Sequence, residues 1–306
     1  MKSLSKKPPA IINSISELHR ILKLPKPLHP LISLVNYSDI KEVPDEFRTS
    51  LIMNFYKISF KENKHGKIKY GQNYYDFDEG GLVFVSPNQL IASAGGEQEY
   101  AGYSLLIHPD FIRNYPLGKD IKKFGFFSYS TNESLHLSEK ERQTILSVFQ
   151  NIQQEITSTI DEFSQDVMIA HIEVLLNYSN RFYKRQFITR KAVNNDLLEK
   201  LETLLEDYFN NETALIKGLP TVHFLAQQLN VSPRYLSDML RTLTAQSAQQ
   251  HIHNKLIEKA KDILSTSNLS VAEVAYQLGF EHPQSFNKIF KRKTNLTPVE
   301  FKQSFN

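Results

Sequence analysis

The strongest constraint on this chain is a pattern of small and apolar residues that occurs twice near its end. The first copy reads TVHFLAQQLNVSPRYLSDML from Thr221, and the second reads SVAEVAYQLGFEHPQSFNKIF from Ser270. Ala226 and Ala275 are 49 residues apart, as are Leu229 and Leu278, and Val231 and Phe280; Leu236 and Phe286 are 50 apart, as are Leu240 and Phe290. One residue is inserted in the second turn. Each copy has a short helical run, a turn, and a second helix opening on a Pro suited to a first helical turn, Pro233 or Pro283. This is the layout of a helix-turn-helix, with alanine at the helix crossing and Val231 or Phe280 plugging the turn into the core.

The second helix of each copy divides into two faces. Leu236, Met239, Leu240 and Leu243 recur at helical spacing on one side of the first, with Phe286, Ile289 and Phe290 on the second. Opposite them lie Arg234, Ser237, Asp238 and Arg241, and 50 residues on Gln284, Asn287, Lys288 and Lys291. One polar stripe on an isolated helix is a solvated face; two at matching positions of a duplicated helix-turn-helix argue for more. Arg forks onto guanine, Gln and Asn onto adenine, and Asp accepts from the cytosine amino group. The expected base-contacting residues are Arg234, Ser237, Asp238, Gln284, Asn287 and Lys288, with Arg241, Lys291, Arg292 and Lys293 on phosphates. Asp238 either reads cytosine or pairs with Arg234 one turn away, and the pairing is favoured.

This segment resembles the DNA-binding domain of the AraC/XylS family of transcription regulators. The resemblance covers about a third of the chain and rests on Leu225, Ala226, Leu229, Ser232, Tyr235, Leu236, Ala260, Leu264, Val271, Val274, Ala275, Leu278, Gly279, Phe280, Phe286, Phe290, Thr297, Pro298 and Phe301. Ala245 and Asn295 stand where the family usually has glycine, and Ala248 where it often has proline. Alanine disfavours a left-handed backbone, so the loop after the first recognition helix is expected to be less sharply turned, or helical. The stretch HIHNK, 251 to 255, departs from the family's more Arg-rich linker. The resemblance implies a sequence-specific regulator, not an enzyme, acting on double-stranded promoter DNA. RNA polymerase, a homodimer partner and a small-molecule effector are further partners it suggests, and no cofactor is required.

A length of 306 residues suggests two domains. The 36 Lys and Arg against 33 Asp and Glu give a net charge of +3, too mild by itself to indicate nucleic acid. With no cysteine there are no disulfides, thiolate metal sites or cysteine nucleophiles. No apolar run approaches about 18 residues, and Lys2, Lys6 and Lys7 precede Pro8 and Pro9 without an apolar stretch behind them. The expectation is a cytoplasmic protein without a secretory signal or membrane span.

The expected organisation is a multi-domain α+β chain: an N-terminal arm over 1–30, a cupin-like β-barrel or sandwich with two long helices over 31–183, a linker over 184–195 and an all-α domain over 196–306. The arm is expected to be mobile. Strand-like runs are LISLV, LIMNFYKISF, GKIKYG, NYYDF, LVFVS, QLIAS, YSLLIH and KFGFFSYS. Phe55, Tyr56, Phe60, Tyr70, Tyr74, Tyr75, Phe77, Phe84, Tyr103, Phe126 and Phe127 make this region aromatic, which fits a lined pocket but fits strand preference and core filling better. The cupin likeness is carried only by position ahead of the C-terminal domain.

Two histidine patterns bear on metal chemistry. His251 and His253 diverge on a predicted helix. His108 and Asp110, completed by His136, have the local spacing of an iron-dependent oxygenase site, but Asp110 capping a short helix DFIRNY is the preferred explanation. A scaffold protein whose helix-turn-helix no longer meets DNA is the other alternative.

Ser138 and Glu141 form a capping box opening a helix with Ile145, Leu146, Phe149, Ile152, Ile156 and Ile160 on one face. A second, antiparallel helix carries Val167, Ala170, Ile172, Leu175, Leu176 and Phe182. One face of the pair can cover the barrel and the other can meet a second subunit, where similar regulators often dimerise; an intrachain core explains the pattern equally well. Past the linker, Leu197, Leu201, Leu204, Leu205 and Tyr208 predict a helix whose acidic face, Glu199, Glu202, Glu206 and Asp207, turns from DNA while the helix braces the first helix-turn-helix. A linker helix from Gln249 to Leu264, with Ile252, Leu256, Ala260, Ile263 and Leu264 inward, would be about 24 Å long. It can hold the recognition helices near one DNA turn, about 34 Å, apart.

Overall fold

A computed structural model describes residues 9–42, 50–63, 68–70, 73–75, 80–92, 100–130, 133–189, 191–211 and 213–305. The chain divides into two compact units, Met1–Gln186 and Phe187–Asn306. Together they make a mixed α+β protein with an all-helical C-terminal unit.

Unit 1 contains β1 (Ala10–Ile12), α1 (Ile15–Ile21), β2 (Ile32–Asn36), β3 (Ser50–Met53), β4 (Tyr56–Asn63), β5 (Ile68–Tyr70), β6 (Asn73–Tyr75), β7 (Gly81–Val85), β8 (Leu90–Ala92), β9 (Tyr100–Ile107), α2 (Pro109–Ile112), α3 (Pro116–Asp120), β10 (Leu135–His136) and α4 (Glu139–Thr157). The helix α5 (Ser164–Thr189) begins in this unit and ends in the next. The strands form sheets ordered β1-β3-β8 and β10-β7-β4-β9-β2, with β5-β6 as a separate hairpin.

The three- and five-stranded sheets share one core. Leu51 and Met53 from β3 meet Val35, Val83, Val85 and Leu106 from the larger sheet, with Ile12, Ile15, Leu18 and Phe55 filling the remainder. Ser14 caps α1 by accepting the Glu17 N–H. Residues 10–22 are therefore built into the sandwich rather than forming the expected free arm, because their apolar residues are needed to close one end of the core. Residues 1–8 lie outside the described residues.

The run LIMNFYKISF is divided: the Asn54 N–H bonds the Ile12 carbonyl, and the chain passes from one sheet to the other. KFGFFSYS is not a strand. It forms 3-10 turns at Ile121–Lys123 and Gly125–Ser128, since Phe126 and Phe127 are both buried and consecutive strand residues would face opposite ways. Phe126 stacks on Tyr183 at 5.5 Å and packs against Phe84 at 4.3 Å, while Phe60 meets Phe149. These rings join the outer face of the large sheet to α4 and α5. Phe77 lies outside the described residues, as do the side chains of Tyr70, Tyr74 and Tyr75.

The Ser138–Glu141 capping box opens α4 as its sequence indicates. Arg185, near the end of α5, forks onto Glu141 at the start of α4, with Nε–Oε1 3.0 Å and Nη2–Oε2 2.6 Å, so the two helices run antiparallel. Ile160 lies beyond the end of α4, and Ile160, Val167 and Ala170 are exposed instead of joining the inner face. Buried Ile172, Leu175, Leu176 and Phe182 do form that face.

Unit 2 contains α6 (Lys191–Asn210), α7 (Thr213–Lys217), α8 (Val222–Gln228), α9 (Pro233–Thr244), α10 (Ala248–Thr266), α11 (Val271–Gln277), α12 (Pro283–Thr294) and α13 (Pro298–Gln303). No helix among the described residues is long and apolar enough to cross a membrane.

Candidate nucleic-acid interface

The two helix-turn-helix copies are built by the same local rules. Thr221 caps α8 by accepting the Phe224 N–H, and Ser270 caps α11 in a capping box with Glu273. Both helices end at a left-handed residue, Asn230 with φ 55° and Gly279 with φ 89°. The Asn230 and Val231 N–H groups bond the carbonyls of Gln227 and Ala226; those of Gly279 and Phe280 bond Tyr276 and Ala275. This is a Schellman closure in each copy, and it swings Val231 or Phe280 back towards its alanine. Ala226 and Ala275 are fully buried. Gly279 has a second reason to be glycine, since a Cβ there would lie 2.7 Å from the Ala214 carbonyl oxygen.

The second helices repeat the correspondence. Both begin at proline, and Ser232 caps α9 through the Tyr235 N–H, whereas His282 gives α12 no side-chain cap. Leu236, Met239 and Leu240 are buried on α9, and Phe286 and Phe290 on α12. Fully burying each of these side chains contributes about 1.5–3 kcal/mol. Leu243 and Ile289 are half-buried at the margins.

Both helices also end alike. Ala245, φ 57°, donates its N–H to the Arg241 carbonyl, and Asn295, φ 63°, donates to Lys291. The expectation of a looser or helical turn at Ala245 is overturned. The alanine takes the left-handed conformation, because the following helix is fixed by the Ser247–Gln250 capping box and by buried Ala248.

With the apolar faces committed to the core, the polar stripes face outward. Arg234, Arg241, Gln284, Asn287, Lys288, Lys291, Arg292 and Lys293 are exposed, while Ser237 and Asp238 are half-buried. Arg234 Nε donates to Asp238 Oδ2 at 2.9 Å. Ser237 Oγ donates to the Pro233 carbonyl at 2.8 Å, and Lys293 Nζ to Asn254 Oδ1 at 2.9 Å, so these two also serve the domain's own structure.

The helix α10 joins the copies through buried Ile252, Leu256, Ala260 and Leu264, with Ile257 also buried. Sequence periodicity had no reason to single out Ile257, one residue from Leu256; its burial reflects contact with a second neighbour, the α11–α12 core. His251 Nε2 lies 2.9 Å from Thr244 Oγ1, and His253 Nε2 lies 3.1 Å from Gln249 Nε2, so the pair diverges. Burial lowers the pKa of both, opposed by Glu202 at His251 and reinforced by Arg292 and Lys293 at His253.

The end of α6 reaches beyond the first copy. Tyr208 meets Phe224 of α8 at 5.3 Å, and Tyr208 and Phe209 also join the core of the second copy with Leu256, Val274, Phe280, Phe286 and Phe290. Its Glu206 pairs with Lys255 of α10, so the acidic face is partly used in that contact.

The residues of the metal alternative are engaged elsewhere. His108, not Asp110, caps α2 by accepting the Asp110 N–H, and Asp110 pairs with Arg113. His136 lies on β10, its backbone N–H donated to Gln186. Among the described residues, no group of three or more His, Cys, Asp or Glu could hold a metal ion.

A family profile described as a helix-turn-helix domain matches residues 225–304. The chain is 29% identical over 136 residues to the HTH-type transcriptional activator RhaS of Salmonella paratyphi B, covering 44% of this chain and 46% of that one. It is 27% identical over 119 residues to histidine kinase P4 of Formosa agariphila, covering 39% of this chain and 8% of the kinase. The chain thus spans under half the length of these relatives. Among solved structures, it resembles the C-terminal domain of the two-component response regulator yesN from Fusobacterium nucleatum, at 28% identity and TM-score 0.31, over 35% of this chain and 98% of that one. The C-terminal unit is a double helix-turn-helix domain. It is over these C-terminal residues that the chain is similar to the helix-turn-helix activators.

Proposed function

We propose that the chain is a sequence-specific DNA-binding transcription regulator acting at double-stranded promoter sites. The observation that carries this reading is the pairing of two exposed stripes, Arg234 with Arg241 and Gln284 with Asn287, Lys288 and Lys291, on helices with matching starts, caps and ends. Two recognition helices joined by α10 suit two successive major-groove segments on one DNA face. Arg234 and Gln284 are the principal base readers, with Ser237, Asp238, Asn287 and Lys288 beside them. Arg241, Lys291, Arg292 and Lys293 meet phosphates.

The remainder of the chain supplies control: a cupin-like domain over 31–183, with residues 10–22 closing its sandwich, joined through residues 184–195, the end of α5 and the start of α6, to residues 196–306. Its sandwich receives a small-molecule effector, and α5 pairs with a second copy. Exposed Val167 and Val174 on α5, with exposed Phe163 just before it, support that pairing, since an apolar stripe of this kind marks an interaction face. Contact with RNA polymerase completes the regulatory role. Genome-wide footprinting with the purified protein tests the reading. Asymmetric protected sites of about two groove segments are expected; salt-insensitive binding without sequence preference would count against it.

A further inference from the structure

The two recognition helices differ in what holds their first turns. Counting 50 residues on, Tyr235 of α9 corresponds to Ser285 of α12. Ser285 is exposed, and His282 before it gives α12 no side-chain cap. Tyr235 is half-buried, and its N–H is donated to the Oγ of buried Ser232 at 3.2 Å. Its ring meets Phe187, with centroids 5.2 Å apart and planes at 71°, the edge-to-face arrangement that aromatic rings favour.

Phe187 is the first residue of unit 2 and stands in the last turn of α5, well ahead of the matched residues 225–304. It is 2% exposed. Its carbonyl is among the last four of α5, which find no partner within their own helix, and Asn194 Nδ2 donates to it at 2.6 Å. Asn194 lies in the first turn of α6 and is also 2% exposed. A buried amide needs its partner, so this hydrogen bond fixes the corner between α5 and α6. With it is fixed the ring on which Tyr235 rests.

Tyr235 follows Arg234 directly, so the seat acts on the turn that carries the first base reader. The N-terminal residues of a recognition helix are the ones that reach base edges. Hydrogen bonds to those edges tolerate a window of only about 0.5 Å in length, whereas attraction to phosphates acts over much longer distances. A helix that rocks at its N-terminus therefore loses discrimination before it loses affinity for the backbone. The Asp238 pair restrains the Arg234 side chain, and the Phe187 seat restrains the backbone beneath it.

We propose that Phe187 and Asn194 are positioning residues for the first recognition helix: they seat Tyr235 and through it set the sequence discrimination of Arg234. This rests on the reading of α9 and α12 as DNA readers, and it makes the two unequal. The first turn of α9 depends on chain from outside the helix-turn-helix copies, whereas the matching turn of α12 presents an exposed serine.

Selection of binding sites from random duplexes with the full chain tests this. Arg234→Ala and Gln284→Ala mark the base pairs that each reader sets. Phe187→Ala and Asn194→Ala should each lower discrimination at the Arg234 base pairs about tenfold, within what one bidentate base contact supplies, and leave the Gln284 base pairs unchanged. The slope of log affinity against log salt should keep its wild-type value, since neither variant removes a cation. Phe187→Leu, which fills most of the space without a ring, should lose only about threefold, in line with loss of the aromatic pair alone. Circular dichroism checks folding, and Asn194→Ala leaves the aromatic pair in place, so the test stands even where Phe187→Ala does not fold. Wild-type discrimination at the Arg234 base pairs in either folded alanine variant, or equal losses at the two readers, overturns the seat and leaves the DNA-binding reading intact. A wild type that selects no sequence overturns that reading and the seat with it.

Discussion

Arg234 and Asp238 form an ion pair one turn apart on α9, Nε to Oδ2 2.9 Å, with Asp238 the less exposed partner. The pair uses the Nε donor and leaves the terminal amino groups of Arg234 for other acceptors. It also offsets part of the positive charge of the first stripe, which the second stripe retains.

Asp238→Ala is therefore expected to loosen Arg234 rather than delete a base contact. Specific affinity should fall and non-specific affinity rise, reducing their ratio about twofold to tenfold, in line with an i, i+4 pair. Selection of binding sites from random DNA checks this. Broadened preference at the position read by Arg234 is the expected result, whereas loss of a cytosine preference at a separate position would show that Asp238 reads a base itself.

Ala245 holds a left-handed backbone that costs an alanine about 1–2 kcal/mol. Glycine removes that strain but loses more chain entropy on folding, so Ala245→Gly should stabilise unit 2 by about 0.5–1 kcal/mol. Asn295→Gly should change little, because asparagine tolerates the conformation. Urea unfolding followed on unit 2 compares them; equal effects would contradict the strain assigned to Ala245.

His251 and His253 are held more weakly basic in the fold than in the unfolded chain. The unfolded chain then binds more protons, so stability is complete above the ordinary histidine range, near pH 6.5, and declines as pH falls through it. Protection of α10 amides from hydrogen exchange, corrected for intrinsic rates, should drop between about pH 7 and pH 5.5. The His251→Gln, His253→Gln double variant should show a flatter profile.

Lys291 is exposed near the end of α12 and belongs to the more basic stripe. Lys291→Ala should weaken binding to all sequences alike and lower the slope of log affinity against log salt by about 1. Affinity measured from low to moderate salt on specific and random duplexes checks this; a loss confined to one sequence would assign Lys291 to base reading.

The helix-turn-helix pair was legible because its determinants are local. The alanines at the crossings, the apolar spacing and the N1 prolines each act within a few residues. The backbone of Ala245 was not legible, since its conformation is imposed by the start of α10 against alanine's own preference. Nor was the reach of Tyr208 and Phe209 into the core of the second copy, because amphipathicity identifies a buried face without identifying what buries it. In unit 1, strand content was visible but KFGFFSYS was misread, as aromatic richness outweighed the absence of alternation.

The most direct test of the central claim is footprinting of the wild type beside the Arg234→Ala, Gln284→Ala double variant on the same promoter fragments. The wild type should protect two successive groove segments, each base reader contributing about 1–3 kcal/mol of discrimination. The double variant should lose selective protection while retaining salt-sensitive binding. Identical footprints for the two proteins would contradict the assignment of these helices as the readers of sequence.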